Sequence, residues 1–256
     1  MKIAKTASLP LEVIRGTVKE RHEKMHKIVE KIFYNIVEKP EDLSIARIQQ
    51  ITQDTLTKIA GDGRKINITI KDHEIVGACE GLERYIEKDG VIEGFEIFVP
   101  TENGAIKPNY FSVFIHELTH TIHQLMNPKT LAIKDSANIT KIEEQRVENF
   151  YKKTLFTGEL FNYFKPISTK IKQMFALRGI SDRDKIKILQ EYKECLDSEF
   201  YAYWEQERFN SRAYKFGIKE PFTTDYDCVM FDEKIEYLEK EIAKLIKRVR
   251  KANKKG

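Results

Sequence analysis

Apolar residues recur every three or four positions from Leu11 to Glu38, where Ile14, Val18, Met25, Ile28, Ile32, Phe33 and Ile36 form a helical stripe that ends at Lys39-Pro40. A second stripe runs from Leu43 to Ala60 and stops at Gly61-Asp62-Gly63. The period then falls to two. Lys65 to Ile70 alternates and predicts a strand, and Leu82–Glu87 and Gly94–Val99 predict two more. Lys88-Asp89-Gly90 joins the last two, with Asp-Gly as the hairpin signal. Pro100 to Pro108 reads as a loop, followed by Asn109 as a helix cap and an apolar helix through Leu125. Beyond Asn127-Pro128 the pattern is helical almost to the end. Segments 136–164 and 166–178 precede Gly179, and Ser181 caps a helix over 182–214. Pro221 to Cys228 is a loop, and Phe231 to Lys251 is an amphipathic helix. This order predicts an α+β fold, predominantly helical, with a small sheet against the helix that begins at Phe111.

That helix carries the chemistry. His116-Glu117-Leu118-Thr119-His120 interrupts Phe111, Val113, Phe114, Ile115, Leu118, Ile122 and Leu125. Four residues of helix rotate by about 40° and rise by about 6 Å, so His116 and His120 stack on one face. Two imidazoles so placed reach one zinc ion, and Glu117 then lies beside a water that the metal makes acidic. The bland alternative is coincidence, but charged helices in solvent are where His and Glu usually collect. A buried His-Glu-His set without a metal leaves polar groups poorly paired.

The histidine inventory narrows the third ligand. The six are His22, His26, His73, His116, His120 and His123, so no histidine follows position 123 and a metzincin's downstream third His is excluded. His123 lies about two turns from His116, too far to share its ion, and reads as a cleft residue or an exposed polar group. His22 and His26 also stand four apart but sit among Lys and Glu, and read as surface residues. His73 has no motif around it. A downstream carboxylate remains, completing a His2Glu set. Two stretches offer one: Glu143-Glu144-Gln145-Arg146-Val147-Glu148, and Asp197-Ser198-Glu199-Phe200-Tyr201-Ala202-Tyr203-Trp204-Glu205-Gln206. Glu199 is preferred over Glu144 because its neighbours are apolar and aromatic, while the earlier stretch reads as a solvated face. Ala202, one turn on, would let the two helices approach closely.

HELTH with a distant Glu-x-x-Ala-Tyr-x-x-Gln resembles bacterial zincin metallopeptidases of the gluzincin type, including toxin-associated ones similar to the anthrax lethal factor group. The resemblance covers two short motifs. It implies a zincin-like core, zinc held by His116, His120 and Glu199, and peptide hydrolysis with Glu117 as general base. It also implies that Tyr192, seven residues before Glu199, stabilises the oxyanion, and that Phe95–Val99 is the strand whose edge aligns an extended peptide. An internal strand is the alternative for that segment. Tyr203 stands where thermolysin-like gluzincins carry the Asp that orients a zinc histidine, so the resemblance does not supply that partner. A catalytically inactive zincin scaffold that binds or regulates a partner is the competing function.

With 256 residues, 41% hydrophobic and 33% charged, the chain is long enough for one substantial core. The pattern divides it into N-terminal helices over 1–62, a core over 63–228 with a helical insertion at about 129–181, and a basic helix over 229–256, all within one compact domain. Net charge is +4, too mild an excess to imply nucleic acid. Cys79, Cys195 and Cys228 are odd in number and scattered, which reads as reduced thiols rather than a disulfide framework. No apolar targeting segment and no membrane-length run is present. The expectation is a cytoplasmic protein, or one exported by a signal-independent route, with a peptide or protein as substrate. Lys244, Lys247, Arg248, Arg250, Lys251, Lys254 and Lys255 read as a solvated helix end, with weak contact to an anionic surface as the sharper alternative.

Overall fold

Alternating Ile, Phe and Val build a three-stranded sheet. In the computed structural model, which describes residues 16–39, 42–60, 65–73, 81–88, 91–126, 181–217 and 228–253, its strands are β1 (Asn67–Asp72), β2 (Leu82–Lys88) and β3 (Val91–Val99). The order is β1-β3-β2, with β1 parallel and β2 antiparallel to β3. The hairpin expected from Asp-Gly is present, because Lys88 pairs with Val91 across it, and the β2–β3 register shifts once between Ile86 and Glu87. Phe95–Val99, expected as an edge, is instead the central strand. Its backbone hydrogen bonds are taken on both sides, leaving none for a peptide, and Phe95, Ile97 and Val99 are fully buried.

The other elements in sequence order are α1 (Gly16–Val37), α2 (Ile45–Ala60), the short strands β4 (Thr101–Glu102) and β5 (Ala105–Ile106), α3 (Phe111–Met126), α4 (Asp182–Asn210) and α5 (Cys228–Asn253). The protein is therefore α+β and mostly helical. Among the described residues no helix is long and apolar enough to cross a membrane. Two compact units are present, Met1–Pro128 with Ser198–Cys228, and Lys129–Asp197 with Val229–Gly256. The expected insertion at about 129–181 lies, up to residue 180, outside the described residues.

In the first unit, side chains of α2 occupy the outer edge of β1. Gln49 Oε1 accepts the Ile70 N–H at 2.7 Å, and Thr57 Oγ1 accepts the Ile66 N–H at 3.0 Å. The end of α1 is closed by Arg47, whose guanidinium donates to the carbonyls of Asn35, Ile36, Lys39 and Asp42. Helix ends leave carbonyls without partners, and one fork-shaped cation satisfies four here. The segment expected as a plain loop contains the β4–β5 hairpin. Asn103 and Gly104 both have positive φ, 51° and 75°, the geometry of a tight hairpin turn for which Asn-Gly is the usual sequence. Gly104 O accepts the Ile45 N–H at 2.9 Å, which ties this hairpin to the start of α2. Asn109 lies inside a 3-10 turn, Pro108–Tyr110, rather than capping α3, because Pro108 supplies the fixed φ that starts that turn. Phe33, Phe111, Phe114 and Phe209 interlock at ring separations of 5.3–5.4 Å and join α1, α3 and the end of α4.

In the second unit, Ser181 Oγ accepts the Asp184 N–H at 3.2 Å, the expected cap. Asp182 pairs with Arg248 and Lys193 with Glu239, each at 3.5 Å, so the first half of α4 runs antiparallel to α5. Such exposed pairs contribute little. Burial of Leu189, Leu196, Leu238, Ile242 and Leu245 contributes most of the association. Lys244, Lys247, Arg248, Arg250 and Lys251 are exposed on α5, as a solvated helix end requires.

The β1–β3 pairing depends on Gly94. A Cβ there would lie 2.5 Å from the Asn67 carbonyl oxygen, a backbone atom that cannot swing away. Gly94→Ala should therefore destabilise the protein by about 1–3 kcal/mol, the usual range for overpacking, seen as a lower urea midpoint.

Candidate metal centre

Helix α3 is buried around almost its whole circumference, which explains its nearly continuous apolar sequence. Its two threonine hydroxyls are satisfied within the helix. Thr119 Oγ1 donates to the Ile115 carbonyl at 2.7 Å and Thr121 Oγ1 to the Glu117 carbonyl at 3.2 Å. His116, Glu117 and His123 are buried with it, and His120 is partly open. Helix α4 crosses this face with Glu199, Ala202, Tyr203 and Gln206. Ala202 is fully buried, as close helix approach demands.

Three side chains converge. The Nε2 atoms of His116 and His120 lie 3.1 Å apart. Glu199 Oε2 is 3.5 Å from the first and Glu199 Oε1 is 3.6 Å from the second. A tetrahedral zinc with bonds of about 2.0–2.2 Å separates its ligand atoms by roughly 3.3–3.5 Å. The observed separations bracket that edge length, so the residues fit the ion. Among the described residues this is the one group of His, Cys, Asp and Glu whose ligand atoms all lie within 4.8 Å of each other.

The outward nitrogens are held as well. His116 Nδ1 donates to Gln206 Oε1 at 3.1 Å, which leaves its Nε2 facing the site. His120 Nδ1 meets Ser198 Oγ at 2.8 Å. Such partners fix ring orientation and tautomer. Gln206 thus orients His116 from a position three residues beyond Tyr203. Tyr203, at the expected Asp position, packs its ring edge-on against His116 at 4.5 Å. The i, i+7 spacing of Glu199 and Gln206 was the available sequence signal for this role. Ser198 carried none.

Electrostatics couple the three groups. Burial pushes His120 down to about 4, with Glu199 pulling the other way and His116 adding to the depression. Burial also works against a charged His116, but the hydrogen bond and charge of Glu199, with Glu117 and Gln206, outweigh it and raise that pKa. Burial would raise Glu199, yet His120 and His116 together hold it below the ordinary carboxylate value. The set holds an ionised carboxylate, a neutral imidazole and one readily protonated imidazole. A divalent cation competes with that proton for the same atoms.

The remaining candidates fall elsewhere. Glu144 lies outside the described residues. Tyr192 is on α4 in the second unit, and its side chain lies outside the described residues. His73 is not in the converging group, and its N–H donates to the Val99 carbonyl. His123 is buried against Tyr201 rather than exposed, at 5.9 Å between rings.

The expectation of a surface position fails for His22 and His26. His22 is wholly buried, stacked on Tyr201 at 4.8 Å and edge-on to Trp204 at 4.1 Å. His26 Nδ1 donates to Glu205 at 2.9 Å, and its Nε2 lies 3.2 Å from Glu30. The charged neighbours in sequence occupy the opposite face of α1, so local composition misreported the side facing α4. Burial, then the charges of His26 and Arg208, bring His22 down to about 3, so it is neutral in the core.

No protein-family model matches the chain, and neither a curated protein nor a solved structure is significantly similar to it.

Glu199→Ala should lower zinc affinity most, because it removes a charged ligand, while Glu144→Ala leaves affinity nearly intact. Gln206→Ala should weaken zinc by roughly 10- to 100-fold through loss of ring orientation. Competition with a chromogenic chelator ranks the three.

Proposed function

We propose that this protein is a zinc-dependent metallopeptidase of the gluzincin type, built on a zincin-like core. His116, His120 and Glu199 hold the metal, and Glu117 is the general base. The observation that supports this reading is the convergence of those three ligand atoms on helices α3 and α4, with Glu117 next to the first ligand on the same helix. When bound, zinc supplies a Lewis acid that polarises a scissile carbonyl and renders water acidic enough to attack it near neutral pH.

The chain's own residues do the rest. Glu117 accepts the proton of the attacking water and delivers it to the departing amine, so one carboxylate serves as base and then as acid. Gln206 and Ser198 hold the two imidazoles so that their Nε2 lone pairs point inward. The substrate class is a peptide or protein. The three scattered cysteines fit a reducing compartment, either the cytoplasm or a cell reached by a signal-independent route.

Two substitutions separate this reading from an inactive scaffold. Glu117→Gln keeps the shape but cannot take a proton, so zinc content should stay at one per chain while cleavage of a peptide library is abolished. His116→Ala should lose both metal and cleavage. Wild-type behaviour of Glu117→Gln in every assay would favour the scaffold.

A further inference from the structure

Two carboxylates at the β2–α3 contact, Glu83 and Glu117, act on each other electrostatically, and only one of them has a place in hydrolysis. Glu83 projects from β2 toward α3. Its Oε2 accepts a hydrogen bond from Gln124 Nε2 at 2.6 Å. Its Oε1 is buried and has no hydrogen-bond partner among the described residues, and the same holds for Gln124 Oε1. Both orphan atoms are acceptors, so the pair lacks a donor. Two residues earlier, Gly81 passes so close to α3 that a Cβ there would lie 2.6 Å from Val113 Cγ1 and 2.7 Å from Glu117 Oε1. The start of β2 therefore fills the space next to the Glu117 carboxylate.

A second buried negative charge beside Glu117 would be costly, because like charges in low dielectric cannot both persist. A proton on Glu83 removes that charge and turns one of the two acceptors into a donor. Burial, and then the charge of Glu117, push the Glu83 carboxyl up to about 8, against the opposing hydrogen bond from Gln124. Glu83 is therefore mostly the neutral acid at pH 7.

We propose that the start of β2 positions the general base: Gly81 leaves the room that the Glu117 carboxylate occupies, and Glu83 ties the same strand to α3 through Gln124. Both are positioning residues, acting through Glu117. The inference rests on the zinc-site reading above and adds two residues to it.

The test uses the full chain and a probe that needs no knowledge of the substrate. Acetohydroxamate binds zinc as an anion and gives its proton to an adjacent base, so its affinity reports whether Glu117 is in place. Gly81→Ala should keep one zinc per chain yet bind acetohydroxamate roughly 10- to 100-fold more weakly, the loss of one charge-assisted hydrogen bond. Glu117→Gln should show the same loss. Glu83→Ala should also weaken the probe, and Glu83→Gln, which copies the neutral acid's shape, should recover most of that loss. Infrared spectra at neutral pH give a second measurement, read first on the wild-type chain. The carbonyl band of a protonated carboxylic acid should be present in wild type and reduced in Glu83→Gln. Wild-type affinity in Gly81→Ala, or an identical band in Glu83→Gln, overturns the inference while leaving the zinc site standing. Absence of zinc, or a Glu117→Gln protein that binds the probe normally, overturns the zinc-site reading itself and the inference with it.

Discussion

Two imidazoles and a carboxylate are held within 3.1–3.6 Å of one another inside the protein, and this convergence sets the terms for the rest of the first unit. Each group taken from water carries a desolvation cost that mutual attraction offsets only with good geometry and satisfied outer atoms. The outer atoms are indeed satisfied, by Gln206 and Ser198. The inner atoms point at a common space of the right size for a small divalent cation. A fold that invested this much burial in three titratable groups without a cation would be less stable than one with Leu at those positions.

Holding Glu199 at that point requires α4 to be fixed in rotation as well as position. At about 100° per residue, Glu199, Tyr203 and Gln206 lie on one face, while Tyr201, Trp204, Glu205 and Arg208 lie on the opposite one. That opposite face is locked to α1. His22 packs on Tyr201 and Trp204, His26 bonds Glu205, and Glu30 receives Arg208 and Arg212 at 3.3 and 2.8 Å. Apolar stacking supplies most of the stabilisation, and the buried polar pairs select one rotation, since turning α4 by a residue would strand Glu205 without His26. Helix α1 therefore bears on the candidate metal site through the helix that carries Glu199, without supplying a member of the converging group.

Much of this was legible from residue order alone. The switch from helical to alternating period located β1, β2 and β3, and Asp89-Gly90 located their hairpin. HELTH inside an apolar run marked α3, and the aromatic setting of Glu199 pointed to a residue that meets His116 and His120. What stayed hidden depended on tertiary pairing. Nothing in Gly94–Val99 distinguishes a central strand from an edge, because both are apolar and β-branched. His22 and His26 looked exposed since their sequence neighbours are charged, yet a helix shows composition on all faces at once and burial on one. Glu83 gave no signal, being one acidic residue in an alternating strand, and acquires meaning only beside Gln124 and Glu117. Asn103-Gly104 is a readable turn signal inside the segment expected as a plain loop.

The central claim is that zinc is held by two imidazole nitrogens and one carboxylate oxygen on α3 and α4. X-ray absorption fine structure of the zinc-loaded chain, purified without a histidine tag, tests it most directly. The account predicts a first shell of nitrogen and oxygen only, at about 2.0–2.2 Å, with the multiple-scattering signature of two imidazoles, and loss of that signature in His120→Ala. A sulfur shell near 2.3 Å, or a spectrum unchanged by His120→Ala, would place the metal elsewhere and contradict the account.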